Sequence, residues 1–163
     1  MLTLTRRARQ HSYGQILACL SIWRRVWTID NDSDDQGQRT WIGPDNSRFS
    51  VRVAPYKPEY GNRSIEDETT TFYEDHKRHG GEEDLRYLEV DGVKGIHYLR
   101  DEKGWDRNYQ PQDEKLINWN TQRMYRGARQ SINVTLSTSS RKFIKSRGTL
   151  YGLLQSIKFT QNA

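Results

Sequence analysis

Apolar and polar residues alternate through most of the chain after residue 48. Phe49, Val51 and Val53 alternate with Ser50 and Arg52, the period of a half-buried strand. Pro55 and Pro58 end it, because proline cannot donate to a ladder. Asp91-Gly92 stands between two apolar runs, Leu85–Val90 and Val93–Leu99, and predicts a tight hairpin. In that register Glu89 faces Lys94 and Tyr87 faces Ile96. Arg126-Gly127 turns a second hairpin, pairing Tyr125 with Ala128, Thr121 with Ile132, Trp119 with Val134 and Ile117 with Leu136. Its other face pairs Gln122 with Ser131, Asn120 with Asn133 and Asn118 with Thr135. One face is apolar and the other all amide and hydroxyl, an agreement that a slip of one residue would destroy.

The period changes to that of a helix after Ser64. Ile65, Thr69, Phe72, His76 and His79 fall on one face, with Glu66 and Asp67 in the first turn and Gly80-Gly81 as a stop. A last helix carries Leu150, Leu153, Leu154 and Ile157 ahead of Phe159. Gly148 and Gly152 each weaken it by about 1 kcal/mol relative to alanine, so it depends on packing. The expected class is α+β, an antiparallel sheet of about six strands with helices packed on it. Asp32, Ser33, Asp34, Asp35, Gln36, Gly37 and Gln38 have nothing to bury and read as a linker. Residues 1–38 are therefore expected to be extension and linker, and residues 39–163 one domain.

Composition supports a folded body. Five Trp, nine Tyr and four Phe are too many for a disordered chain, although charged residues reach 29%. Charge is unevenly placed. Residues 1–30 hold five Arg and one Asp, a charge of +4; residues 31–114 hold twelve Lys/Arg and twenty Asp/Glu, −8; residues 115–163 hold nine Lys/Arg and no acid, +9. From residue 31 on, the body is thus near neutral, which argues against a nucleic-acid partner. The basic and acidic parts neutralise one another across the fold, or the basic part forms a patch for an acidic partner; the first reading is the simpler.

The N-terminal segment is basic, with Arg6, Arg7 and Arg9 ahead of Ile16, Leu20, Trp23 and Trp27 at helical spacing. Three readings stand. It is an amphipathic helix making peripheral contact with an anionic membrane, a degenerate export signal, or a poorly ordered tail. In the second reading Ile16-Leu17-Ala18-Cys19 is a lipoprotein box and Cys19 the lipidated residue, against the polar His11–Gln15 where an apolar stretch belongs. The protein is cytoplasmic, or exported and membrane-associated, depending on which of these holds. Cys19 is the only cysteine, so the chain holds no internal disulfide.

No residue pattern points to catalysis. Gly-x-Ser-x-Gly, Walker and Gly-x-Gly-x-x-Gly motifs are all missing, and no cofactor is expected. His76 and His79 share a helix face, but a zinc site needs three or four converging ligands; solvated helix histidines are the better reading. Glu66, Asp67, Glu68, Glu74 and Asp75 form a solvated acidic face rather than an acid and base pair. Arg100 to Gln112 reads as a loop in which Arg100, Trp105, Arg107 and Tyr109 have the composition of a recognition surface. The amide face of Asn118, Asn120, Gln122 and Asn133 is the other candidate, for a sugar or another polar ligand.

The order of parts resembles a known family. A strand opening from Pro44 to Phe49, a helix, two hairpins and a closing Leu153-Leu154-Gln155-Ser156-Ile157-Lys158-Phe159 are similar to the PsbP-like α/β/α sandwich family. That family includes the Ran-binding Mog protein and photosystem II extrinsic subunits. The resemblance covers residues 40–160 and implies a sandwich that binds proteins and does not catalyse. The function expected is a non-enzymatic accessory domain engaging a protein partner, tethered by its N-terminus. The alternative is a small-ligand or carbohydrate module using the amide face.

Overall fold

The computed structural model describes residues 27–30, 37–43, 45–57, 61–106 and 108–159. Seven antiparallel strands form one sheet in the order β1-β2-β3-β7-β6-β5-β4. They are β1 (Thr28–Asp30), β2 (Gln38–Ile42), β3 (Arg48–Pro55), β4 (Glu83–Val90), β5 (Val93–Trp105), β6 (Pro111–Tyr125) and β7 (Ala128–Ser139). Helix α1 (Ile65–His79) sits between β3 and β4 in the chain, and α2 (Ser140–Gln155) follows β7.

Both hairpins form in the expected register. Glu89 opposes Lys94 and Tyr87 opposes Ile96; Trp119 opposes Val134 and Asn120 opposes Asn133. Asp91, Gly92, Arg126 and Gly127 all take positive φ, as a two-residue turn with right-handed strand twist requires. Ser64 caps α1 by accepting the Asp67 amide at 3.0 Å.

The core lies between the apolar sheet face and α2. Phe143, Leu150, Leu153 and Leu154 of α2 bury against Phe49, Val51, Ile117, Trp119, Ile132, Val134 and Leu136. This is why α2 tolerates two glycines: burying apolar area, at about 25 cal/mol per Å², outweighs the propensity loss. Trp119 is wholly buried, and its indole N–H donates to the Leu88 carbonyl at 2.9 Å. Asp91 does more than turn a hairpin. Its carboxylate accepts the Phe159 amide at 2.7 Å and Lys158 Nζ at 2.9 Å, and these bonds hold its pKa below the ordinary carboxylate value.

Two strands escaped the sequence reading. β1 and β2 bring Thr28–Asp30 and Gln38–Ile42 into the sheet, and the first of these falls within the stretch expected to be extension. Trp27, expected to be the last residue of a membrane-facing stripe, is 8% exposed and packs in the core, so it is withdrawn from that stripe. Trp41 stacks on Phe49 at 5.2 Å. The other members of the stripe, Ile16, Leu20 and Trp23, lie outside the described residues, as does Cys19.

The opposed charges of the chain do meet. Lys115 reaches Glu83 at 2.8 Å and Asp101 at 3.2 Å, Lys158 reaches Asp91, and Lys142 reaches Asp45 at 3.7 Å. Each joins a basic residue of the C-terminal third to an acid of the middle of the chain, which supports mutual neutralisation.

Candidate functional site

Two regions carry the residues singled out from the sequence, at different places on the fold.

The first is an arm. Arg100 to Gln112 is not the loop expected. β5 and β6 stay paired to Trp105 opposite Pro111, whereas β7 leaves the sheet at Ser139 opposite Glu114. Lys103–Trp105 and Pro111–Asp113 therefore continue as a two-stranded arm beyond the third strand. The sequence concealed this because Lys103, Gly104 and Trp105 and, opposite them, Pro111, Gln112 and Asp113 show no apolar alternation to betray a strand. Lys103 bonds Asp113 across the arm. At the tip the Asp106 carboxylate accepts the amides of Asn108 and Gln110, both at 2.8 Å. The Asp106 amide donates to the Gln110 carbonyl at 2.9 Å, and the Tyr109 amide to the Asp106 carbonyl at 3.1 Å. Tyr109 sits at φ 57°. This tight turn displays two aromatics, Trp105 at 57% and Tyr109 at 84% exposure. Arg100 lies back along β5 and pairs with Glu102 at 2.7 Å. Arg107 is outside the described residues.

The second is a cleft beneath α1. This helix lies over the amide face, which the sequence suggested would be wet or covered, and it buries none of its own residues. A cavity of about 170 Å³ opens between them, lined by Glu68, Thr69 and Phe72 of α1 and by Ile96, Asn120, Thr121, Gln122, Ser131 and Asn133 of the sheet. Three of the four expected ligand residues are thus brought together. The fourth, Asn118, lies one pair further along the face, where its Oδ1 accepts the Thr135 hydroxyl at 3.2 Å. Asn133 donates to Asn120, and Asn120 Nδ2 donates to the Tyr98 hydroxyl at 3.2 Å. Burial pushes the Tyr98 phenol above its ordinary pKa.

Both ends of α1 are tied down by polar contacts. Arg129 is the anchor the sequence did not reveal, since no local pattern marks an arginine that acts at long range. Its guanidinium bonds the Arg63 carbonyl at 2.5 Å and Gln122 Oε1 at 2.8 Å, and lies 3.9 Å from the centre of the Tyr56 ring. Tyr56 donates its hydroxyl to Glu68 at 2.9 Å. At the far end His76 Nδ1 bonds Glu82 at 2.8 Å and stacks near Tyr98. His79 turns instead to the Asp75 carbonyl at 2.8 Å, so the two histidines serve separate partners.

A sheet with one helix on the apolar face and another on the polar face defines an α/β/α sandwich, the PsbP-like architecture that the sequence resembles. No protein-family model matches the sequence, and no curated protein matches it. Solved structures do match. LpqN, involved in cell envelope biogenesis of Mycobacterium tuberculosis, shares the fold at a TM-score of 0.59 and 8% identity, over 83% of this chain and 79% of that one. Protein PA94 of unknown function from Pseudomonas aeruginosa follows at 0.50 and 12%, over 84% and 99%. Cyanobacterial PsbP from Synechocystis is also similar, at 0.43 and 14%, over 82% of each chain. Likeness at these identities is a likeness of fold.

Proposed function

We propose that this is a non-catalytic binding domain that engages a protein partner through the tip of the β5–β6 arm. The observation that carries the reading is the display of Trp105 and Tyr109 on a turn already locked by the Asp106 carboxylate. Large aromatics are costly to leave in water and are enriched among the residues that dominate binding energy. A turn ordered before binding loses little entropy on docking. Arg107, two residues after Trp105 in sequence, adds the other side-chain type common at such contacts.

The test is capture of partners from an extract of the native host on the immobilised full chain. Trp105→Ala with Tyr109→Ala should weaken retention of a partner by roughly 30-fold or more, the scale of one lost hot spot of about 2 kcal/mol. Melting temperature should stay the same, since both side chains are exposed. Retention unchanged in the double variant would end the reading.

A tether through the N-terminal segment belongs to the same proposal, with Cys19 as its lipid-bearing residue. Intact mass and fractionation of the protein from its host should give a chain cleaved before Cys19, carrying lipid, in the membrane fraction. An unmodified full-length mass in the soluble fraction would remove the lipid tether and leave the arm reading untouched.

A further inference from the structure

We propose that the cleft beneath α1 is a second binding site, for an uncharged polyhydroxylated ligand about the size of one sugar ring. A helix that packs for stability buries an apolar stripe. α1 buries no residue, and Phe72, the largest apolar side chain on its inner side, is still 39% exposed. Under it the sheet offers Asn120, Gln122, Ser131 and Asn133. That interface is poor as a core and well formed as a binding surface.

Size and charge narrow the ligand. The cavity of about 170 Å³ is smaller than the roughly 300–1,000 Å³ of pockets that take drug-sized molecules. Among the described residues no lysine or arginine lines it, and the nearby Arg129 is already engaged by Gln122 and the Arg63 carbonyl, so an anion would find little counter-charge. The single carboxylate, Glu68, already accepts the Tyr56 hydroxyl. What remains is a mixture of neutral donors and acceptors. Asn133 and Asn120 bond one another, and Gln122 Oε1 takes the Arg129 N–H. Among the described residues, the Gln122 amide N–H groups, the Ser131 hydroxyl and Asn133 Oδ1 have no protein hydrogen-bond partner. Nor does Asn118 Nδ2, buried on the same face. Gln122 and Ser131 are half-buried and Asn133 is exposed, so these groups face the open cleft, where a ligand that replaces water can bond them directly. A sugar hydroxyl both donates and accepts, and so answers donors and acceptors alike. The apolar face of the ring suits the exposed Phe72. The Arg129 contacts hold this geometry before any ligand arrives, which lowers the cost of binding.

The experiment is a titration of the isotope-labelled full chain, followed by amide NMR, with glucose, galactose, N-acetylglucosamine and myo-inositol, and with glucose 6-phosphate as the charged counterpart. At least one neutral probe should give saturable shifts confined to the side-chain amides of Asn120, Gln122 and Asn133 and the backbone of β6 and β7. Glucose 6-phosphate should bind more weakly than glucose. Ser131→Leu fills the cleft and should abolish the shifts. Phe72→Ala should weaken binding about tenfold, and because Phe72 is half-exposed it decides the matter if the leucine variant fails to fold. No saturable shift with any neutral probe overturns the proposal. So do shifts that survive Phe72→Ala at full strength, or shifts that map to the arm.

Discussion

Gly95→Ala should lower the melting temperature by about 10 °C, a loss of roughly 3 kcal/mol in a domain of this size. Gly95 lies on β5 directly across from the indole of Trp119. A methyl group there would meet Trp119 Nε1 at 2.5 Å and the Asn120 carbonyl at 2.8 Å. Neither can give way cheaply. Trp119 is fully buried among core side chains and pinned by its bond to Leu88, and the Asn120 carbonyl belongs to β6, an inner strand paired on both sides. Cores packed to crystal density transmit such an intrusion instead of absorbing it. Trp119→Phe alone should also destabilise, because it leaves the Leu88 carbonyl without its donor. In combination the two should cost less than their sum, since the smaller ring makes room for the methyl. Strict additivity in thermal or urea unfolding would show that the methyl does not strike the indole.

Acid should destabilise this domain in a window set by His97. The imidazole is fully buried between sheet and α2. Its Nδ1–H donates to the Asp84 carbonyl at 3.0 Å, and Nε2 lies 2.6 Å from the Tyr151 hydroxyl, whose hydrogen bond a neutral ring accepts. Burial favours that neutral ring and holds its pKa below the ordinary 6.5. Asp84 from β4 opposes this by favouring the charged form, and Arg86 from the same strand reinforces it. Unfolded, His97 takes a proton near 6.5; folded, it resists until a lower pH. The unfolded chain thus binds more protons in that interval, and stability falls as pH drops below about 6.5. The slope approaches about 1.4 kcal/mol per pH unit until the folded pKa is reached. Above 6.5 the effect vanishes. Urea unfolding at steps from pH 7.5 to 5 should show this, and His97→Gln should flatten the curve in that range. A wild-type curve no steeper than that of the variant would refute it.

Local pattern was enough for the hairpins and for α1. The Asp-Gly and Arg-Gly turns fix their own neighbours, and a period of two reads directly as a face. It was not enough for the outer strands β1 and β2, whose pairing partners lie across a polar run with no apolar rhythm. Nor did it reveal the arm. Its strands are paired over their whole length, yet Gly104 and Pro111 among polar residues look like a loop. The amide face was legible residue by residue, because each pair was matched in register. That it becomes a cleft was not, since this depends on Arg129 reaching the start of α1, 66 residues away in sequence.

From residue order alone, then, come the α+β class, the central register and the two candidate surfaces, all products of contacts between near neighbours along the chain. The covering of the amide face, the burial of Trp27 and His97, and the reach of the arm come from contacts between distant segments. No window of sequence contains both sides of such contacts, so they are settled only when the chain is folded.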